Sequence, residues 1–221
     1  MIETILSPRV IEPKDWATCL FILSFALIAI TKTAFETRFN DFMRILVSDK
    51  YIKVYKDSSY LMSGFTVLLF VVQVISFSFF IVLVLQQFKA QEKNMLILYI
   101  QVFTFLSVFI LSKFLIEKII ATAFKIEEFN EQFNLLKVNY RAYFGFILLP
   151  VNIILFYNSF DSDWFFWTLL ITLITINITT YLVALKLYQN LLLRKIFYFI
   201  LYLCTLEIAP YYFIYNWFTK N

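Results

Sequence analysis

Long apolar stretches constrain this chain more than any other feature of its sequence. Several run for about 18 residues or more with almost no charge, the length an α-helix needs to cross ~30 Å of hydrocarbon. The composition agrees, since 62% of the residues are hydrophobic and only 15% are charged. We therefore expect an all-α membrane protein, a polytopic bundle of about six transmembrane helices that forms one domain over residues 1–221. The predicted spans lie near residues 16–31, 61–88, 95–112, 140–157, 164–187 and 196–218.

The apolar stretches favour helices over a β-barrel. Barrel strands alternate apolar and polar residues, whereas these runs are continuously apolar, and a helix satisfies all of its own backbone groups inside hydrocarbon. No cleavage site of small residues follows the first apolar run, so we expect the first span to be retained. The chain has only two glycines and no GxxxG motif, so it does not predict close helix crossings.

Two amphipathic helices are predicted beside the spans, near residues 34–47 and 114–138. The first has a stripe of apolar residues at helical spacing, and Thr33 with Glu36 fits a capping box that would start the helix. Because this helix directly follows a span, we expect it to lie in the cytoplasmic membrane interface with its apolar face toward lipid. The alternative is that the stripe packs on the bundle itself. The stripe residues are Phe35, Phe39, Phe42, Met43, Leu46 and Val47.

Basic residues are concentrated in the connections after the predicted spans one, three and five. The first of these connections alone holds Lys32, Arg38, Arg44, Lys50, Lys53 and Lys56. Because cytoplasmic loops are enriched in lysine and arginine, we predict that these connections face the cytoplasm and both termini face away from it. Topology thus explains the basic residues, and no nucleic-acid partner is expected.

The residue types that usually carry chemistry are scarce. Histidine is absent from the chain, which removes the commonest metal ligand and general base. Cys19 and Cys204 lie alone inside predicted spans and form no metal-binding spacing. Lys113 and Glu117 are one helical turn apart and can pair, which we interpret as a solvated anchor at a membrane edge. We therefore expect neither an enzyme nor a bound cofactor or metal.

Glu207 is an acid near the middle of a predicted span, where a charge costs at least ~2.5 kcal/mol. Asn177, Asn152 and Gln73 lie at comparable depth in other spans and are candidates for one intramembrane polar cluster with it. Two interpretations are open. Glu207 is either the proton carrier of a small transporter, or a neutral side chain that hydrogen-bonds to Asn177 and links two helices.

A family resemblance covers essentially the whole chain. The segment RFNDFMRILVSDKYIKVY (residues 38–55), the following LMSGFTVLLFVVQVISFSFFIVLVL and the PKDW opening resemble an uncharacterised family of integral membrane proteins from Bacteroidota, especially flavobacteria. That family is a domain of unknown function. The resemblance implies a multi-pass protein of the bacterial inner membrane, with both termini in the periplasm by the basic-residue distribution, and it supplies no catalytic residues.

These observations lead to two expected functions. The first is a non-catalytic membrane subunit or scaffold of an envelope or protein-export complex, which binds the lipid bilayer and another membrane or envelope protein or itself. The alternative is a small proton-coupled transporter that acts as an oligomer, with Glu207 as its intramembrane carboxylate.

Overall fold

All regular secondary structure in the described part of the chain is α-helical, as predicted. A computed structural model describes residues 15–45, 51, 54–55, 63–89, 94–123, 127–158, 164, 167–172, 174–175 and 178. The helices in these ranges are α1 (Asp15–Ala34), α2 (Glu36–Met43), α3 (Gly64–Lys89), α4 (Met95–Ala123) and α5 (Glu127–Tyr157).

Four of these helices are long and apolar enough to cross a membrane. The candidate spans are Asp15–Ala34, Gly64–Gln87, Met95–Ala123 and Asn130–Tyr157. They correspond to the first four predicted spans and support association with a membrane. Residues 167–172 of the predicted fifth span are helical. The span predicted near 196–218 lies outside the described residues, so the count of six stays a prediction.

Consecutive helices of these four run in alternate directions. Trp16 in the first turn of α1 packs against Phe79 in the second half of α3, Tyr99 in the first turns of α4 and Phe156 at the end of α5. The beginnings of α1 and α4 thus share one end of the bundle with the ends of α3 and α5. It follows that α3 and α5 are parallel, and both are antiparallel to α1 and α4.

Helix α3 is the centre of the bundle. It contacts α1, α4 and α5, and its interface with α5 is the most extensive among the described helices. Its sequence is compatible with this position, because a helix that is apolar on every side can be enclosed by other helices on all of them. Leu69, Val72, Val74, Phe79 and Val82 on several faces of α3 are almost completely buried.

A single glycine brings α3 and α5 into close contact. A Cβ atom added to Gly145 of α5 would lie 2.7 Å from the Cα of Gln73 in α3, closer than two such atoms can approach. The expectation that close crossings are not encoded was therefore wrong at this point. One glycine without a GxxxG repeat suffices for this close approach, because the backbones of α3 and α5 need to come this close at only one point.

Between residues 112 and 140, the helices begin and end at different residues from those predicted. Helix α4 continues to Ala123, and α5 begins at Glu127 and runs without a break to Tyr157, so residues 114–138 do not form a separate amphipathic helix. The 31 residues of α5 span roughly 46 Å at ~1.5 Å per residue, more than the ~30 Å of hydrocarbon. Hydropathy predicts the length of an apolar span, and these helices are longer than such a span.

The start of α2 also differs from the prediction. Helix α1 continues through Thr33 to Ala34, and α2 spans Glu36–Met43 rather than the predicted 34–47. Thr33 Oγ1 donates to the carbonyl of Ile30. The capping box predicted for Thr33 and Glu36 was therefore wrong, because the cap position is Phe35, which makes no side-chain cap hydrogen bond.

Candidate functional site

The apolar stripe of α2 faces the bundle. Phe39 is 6% exposed and Phe42 is completely buried. The ring of Phe42 lies 5.7 Å from the ring of Phe65 in α3 and 5.7 Å from that of Tyr143 in α5, and the ring of Phe39 lies 6.3 Å from that of Phe146. Of the two alternatives for this stripe, the structure supports packing on the bundle. These rings join the start of α3 and the middle of α5 to α2.

The remaining stripe residues differ in their positions. Phe35 is partly buried, and its ring lies 5.9 Å from that of Phe65. Met43 is 38% exposed and lies at the edge of the packed face. Leu46 and Val47 lie outside the described residues.

A buried arginine links α2 to α3. Arg38 is 6% exposed. Its guanidinium donates to Ser63 Oγ at 2.6 Å, to Thr66 Oγ1 at 3.1 Å and to the Tyr51 hydroxyl at 3.3 Å. Its central carbon lies 4.4 Å above the ring of Phe65, a cation–π distance. The planar fork of donors lets one side chain bind several hydroxyls at once, so Arg38 fixes α2 and Tyr51 on the start of α3.

Tyr51 extends this network to α5. Its hydroxyl donates to Asn139 Oδ1 at 3.0 Å, and Asn139 Nδ2 donates to the carbonyl of Leu135 at 2.8 Å. Burial raises the pKa of the Tyr51 phenol above its usual value, and the nearby Arg38 charge partly opposes this rise. The phenol therefore keeps its proton, which it needs in order to donate the hydrogen bond to Asn139.

A buried ion pair joins α4 to α5 at the same end of the bundle. Lys137 Nζ lies 3.1 Å and 3.3 Å from the two carboxylate oxygens of Glu117, and the two residues are 7% and 3% exposed. The Lys137 ammonium also lies 4.9 Å from the centre of the Phe133 ring. Lys113, one turn from Glu117, is 8% exposed. The interpretation of Lys113 and Glu117 as a solvated anchor was therefore wrong, because both side chains are enclosed by the bundle.

The predicted intramembrane cluster is described in part. Gln73 and Asn152 are both buried, on α3 and α5 respectively. Asn152 Nδ2 donates to the carbonyl of Ser76 at 2.8 Å. Within the described ranges, Gln73 Oε1 and Asn152 Oδ1 are buried oxygens without a hydrogen-bond partner. Asn177 and Glu207 lie outside the described residues, so their membership of the cluster stays a prediction.

The sequence analysis did not predict that Arg38 and Lys137 are buried, although their helical spacing from buried aromatic residues indicates it. Arg38 follows Phe35 by three residues and precedes Phe42 by four, so it shares their face. Lys137 follows Phe133 by four residues in the same way. Each was interpreted only as a basic residue of a cytoplasmic connection.

The contacts described above for Arg38 and Tyr51 and the Glu117–Lys137 pair connect one helix or segment to another, so they hold the helices together. In the part of the chain that the structure describes, no three His, Cys, Asp or Glu side chains come together as a metal site would require.

The comparisons with known proteins identify a family and no characterised relative. The family model described as "Domain of unknown function (DUF4271)" matches residues 17–218, nearly the whole chain. No curated protein and no solved structure matches the chain.

Proposed function

The chain belongs to the DUF4271 family, a domain of unknown function, and from this premise we propose that it is a non-catalytic integral membrane subunit or scaffold of a cytoplasmic-membrane complex. The observation that carries the proposal is that the buried charged side chains bind other parts of the bundle. Glu117 and Lys137 neutralise each other across α4 and α5, and Arg38 is held by the hydroxyls of Tyr51, Ser63 and Thr66.

Such groups fix the arrangement of helices rather than offer themselves to a substrate. A buried ion pair contributes little net stability against an apolar pair of the same volume, but it penalises every arrangement that separates its partners. A scaffold needs one defined arrangement of its helices. A transporter needs at least two, and a change that separated α4 from α5 or α2 from α3 would break these contacts.

Among the described helices, α1 and α4 present apolar faces on the outside of the bundle, and a membrane partner or lipid would contact such a surface. Helix α1 exposes Ile22, Leu23, Phe25 and Ile30, and α4 exposes Ile97, Ile100, Phe105, Val108, Leu111, Leu115, Ile116 and Ile119. We propose that one of these faces binds another membrane or envelope protein of an envelope or protein-export complex, or a second copy of this chain.

Placement in the cell is part of the proposal. The concentration of basic residues at the end that holds α2 favours a cytoplasmic position for that end and a periplasmic position for both termini. The Phe-, Ile-, Lys- and Asn-rich composition suits an AT-rich genome such as those of Bacteroidota, which supports an origin there and a location in the bacterial inner membrane.

Site-specific photo-crosslinking tests the partner directly. A photoreactive residue at Ile100, which is 53% exposed on α4, should capture a specific protein in native membranes. The matched control is Leu98 on the same helix, which is 8% exposed and should crosslink only within the chain. Purification in mild detergent and mass spectrometry then identify the product and its stoichiometry. If Ile100 and its equivalents on α1 crosslink only to lipid and the protein elutes alone, the subunit proposal is wrong.

The alternative, a small proton-coupled transporter, is favoured by one specific observation. Gln73 Oε1 and Asn152 Oδ1 are buried acceptors that lack a donor among the described residues, and a buried unsatisfied acceptor costs about 1–3 kcal/mol. A protonated Glu207 would be such a donor. Complementation of a null strain with Glu207→Gln separates the two functions, because glutamine keeps the hydrogen bond and cannot titrate. A folded variant that fails to complement would favour transport.

A further inference from the structure

An apolar cavity of about 130 Å³ opens on the outside of the bundle between α3, α4 and α5. Val67 and Leu111 at its rim are 49% and 51% exposed, so it is open to whatever surrounds the helices. Its volume is close to the ~150 Å³ of an apolar cavity that stays dry and binds benzene. A short segment of hydrocarbon chain fits it. The apolar walls are Val67, Phe70, Ile110, Leu111, Phe114 and Val138.

The cavity lies toward the bundle end that holds α2. Val67 lies in the first turn of α3, and Leu111 and Phe114 lie in the second half of α4. Lys118 follows Phe114 by four residues, so it lies on the same face of α4, one turn nearer the end of the bundle. Lys118 is exposed and borders the neighbouring concavity on α4 together with Ile119.

Three features make the polar end of this cavity positive. The first is the exposed ammonium of Lys118. The second is Arg38, whose guanidinium donates to Oγ1 of Thr66, a residue that also lines the cavity. The third is the start of α3, which has no acidic residue in its first turn and carries the partial positive charge of a helix N-terminus. The adjacent acid Glu117 is neutralised by Lys137 in the interior.

We propose that this cavity holds part of an acyl chain of an anionic phospholipid whose phosphate contacts Lys118. The apolar walls match the chain, and the positive polar end matches the phosphate. A free phosphate would leave the apolar cavity without an occupant, and a zwitterionic lipid would gain less from the positive charge. The proposal rests on the membrane placement in the proposed function and is independent of any protein partner.

Native mass spectrometry of the detergent-purified protein tests this proposal. The probes are phosphatidylglycerol and phosphatidylcholine with identical acyl chains, titrated separately. The wild-type protein should retain phosphatidylglycerol more strongly. Lys118→Gln should reduce this preference about fivefold, as expected for one basic residue near a membrane surface. The charge control is Lys32→Gln, an exposed lysine in the last turn of α1 at the same bundle end, which should leave the preference unchanged.

A second pair of variants tests the cavity itself. Leu111→Trp should fill it and lower retention of both lipids, whereas Ile116→Trp, at a position 45% exposed on the opposite face of α4, should not. If Leu111→Trp does not fold, Val67→Trp fills the cavity from its opposite rim. Equal retention of the two lipids by the wild type, or unchanged retention after the cavity is filled, would overturn the proposal. Because the assay uses the isolated protein, it gives its result whether or not a protein partner exists.

Discussion

Removing one member of the Glu117–Lys137 pair should destabilise the bundle far more than removing both. The partners are 3% and 7% exposed and 3.1 Å apart, so solvent cannot replace a lost partner. Breaking a buried pair costs about 3–5 kcal/mol, whereas replacing both members with apolar residues is often neutral or stabilising by ~1–4 kcal/mol. We therefore expect Lys137→Met and Glu117→Leu each to be severe. The double variant should recover most of the loss, apart from the cost to Lys113 of losing the neighbouring carboxylate.

The structure also predicts which of the two single variants is the more destabilising. Glu117→Leu leaves Lys137 buried in the same region as Lys113, one turn from the removed carboxylate. Lys137→Met leaves Glu117 with Lys113 still nearby. Glu117→Leu should therefore be the more destabilising of the two.

Reversible unfolding of the detergent-solubilised protein by a denaturing detergent measures these free energies. The matched control is Lys118→Leu, since Lys118 is adjacent to Glu117 in α4 but exposed; its effect should stay within about 0.5 kcal/mol. The coupling energy between Glu117 and Lys137 should reach about 3 kcal/mol. Additive single effects, within about 0.5 kcal/mol, would show that the two charges do not depend on each other in the fold.

Three further predictions concern stability in the same assay. Gly145→Ala should destabilise by up to about 2 kcal/mol, because overpacking costs ~1–3 kcal/mol and helix propensity returns ~1 kcal/mol. Gly64→Ala, whose Cβ would meet only a side chain at 3.5 Å, should not destabilise the protein. Phe42→Ala should lower the free energy of unfolding by about 3–5 kcal/mol because the ring is fully buried. Met43→Ala, at the exposed edge, should lower it far less. Similar losses in the two variants would contradict the observed orientation of α2. Because the pKa of Tyr51 is raised by burial, the folded state should lose stability as pH rises above the ordinary tyrosine value of about 10. Tyr51→Phe should be less stable than the wild type at neutral pH, but it should lose less stability at alkaline pH. An identical dependence of stability on pH in the two proteins would contradict this.

The sequence predicted the features that depend on local composition. Apolar length gave the four spans now described, because crossing hydrocarbon sets a minimum run of apolar residues. It did not give the helix ends at Ala123 and Glu127, because a helix continues outside hydrocarbon wherever its backbone bonds remain satisfied. The Thr33–Glu36 capping pattern failed for the same reason, since α1 continues through Thr33.

Pairings between helices could not be predicted from one sequence. The stripe of α2 was visible, but whether it faced lipid or the bundle depended on the position of Phe65 and Tyr143 in other helices. Glu117 was noted beside Lys113 on its own helix, but the sequence did not indicate that it binds Lys137, 20 residues along the chain. Local spacing identifies only cations on the same helix, and the packing of α4 on α5 brings the Lys137 ammonium to the carboxylate.

Cysteine accessibility tests most directly the claim that this bundle spans a membrane with its α2 end in the cytoplasm. After Cys19 and Cys204 are replaced by serine, Thr33→Cys and Asn94→Cys place single thiols at two exposed positions, at the end of α1 and before α4. An impermeant maleimide on intact spheroplasts should label the Asn94→Cys protein, and should label the Thr33→Cys protein only after permeabilisation. Equal labelling of both in intact spheroplasts would contradict the spanning arrangement, and the reverse pattern would contradict the orientation.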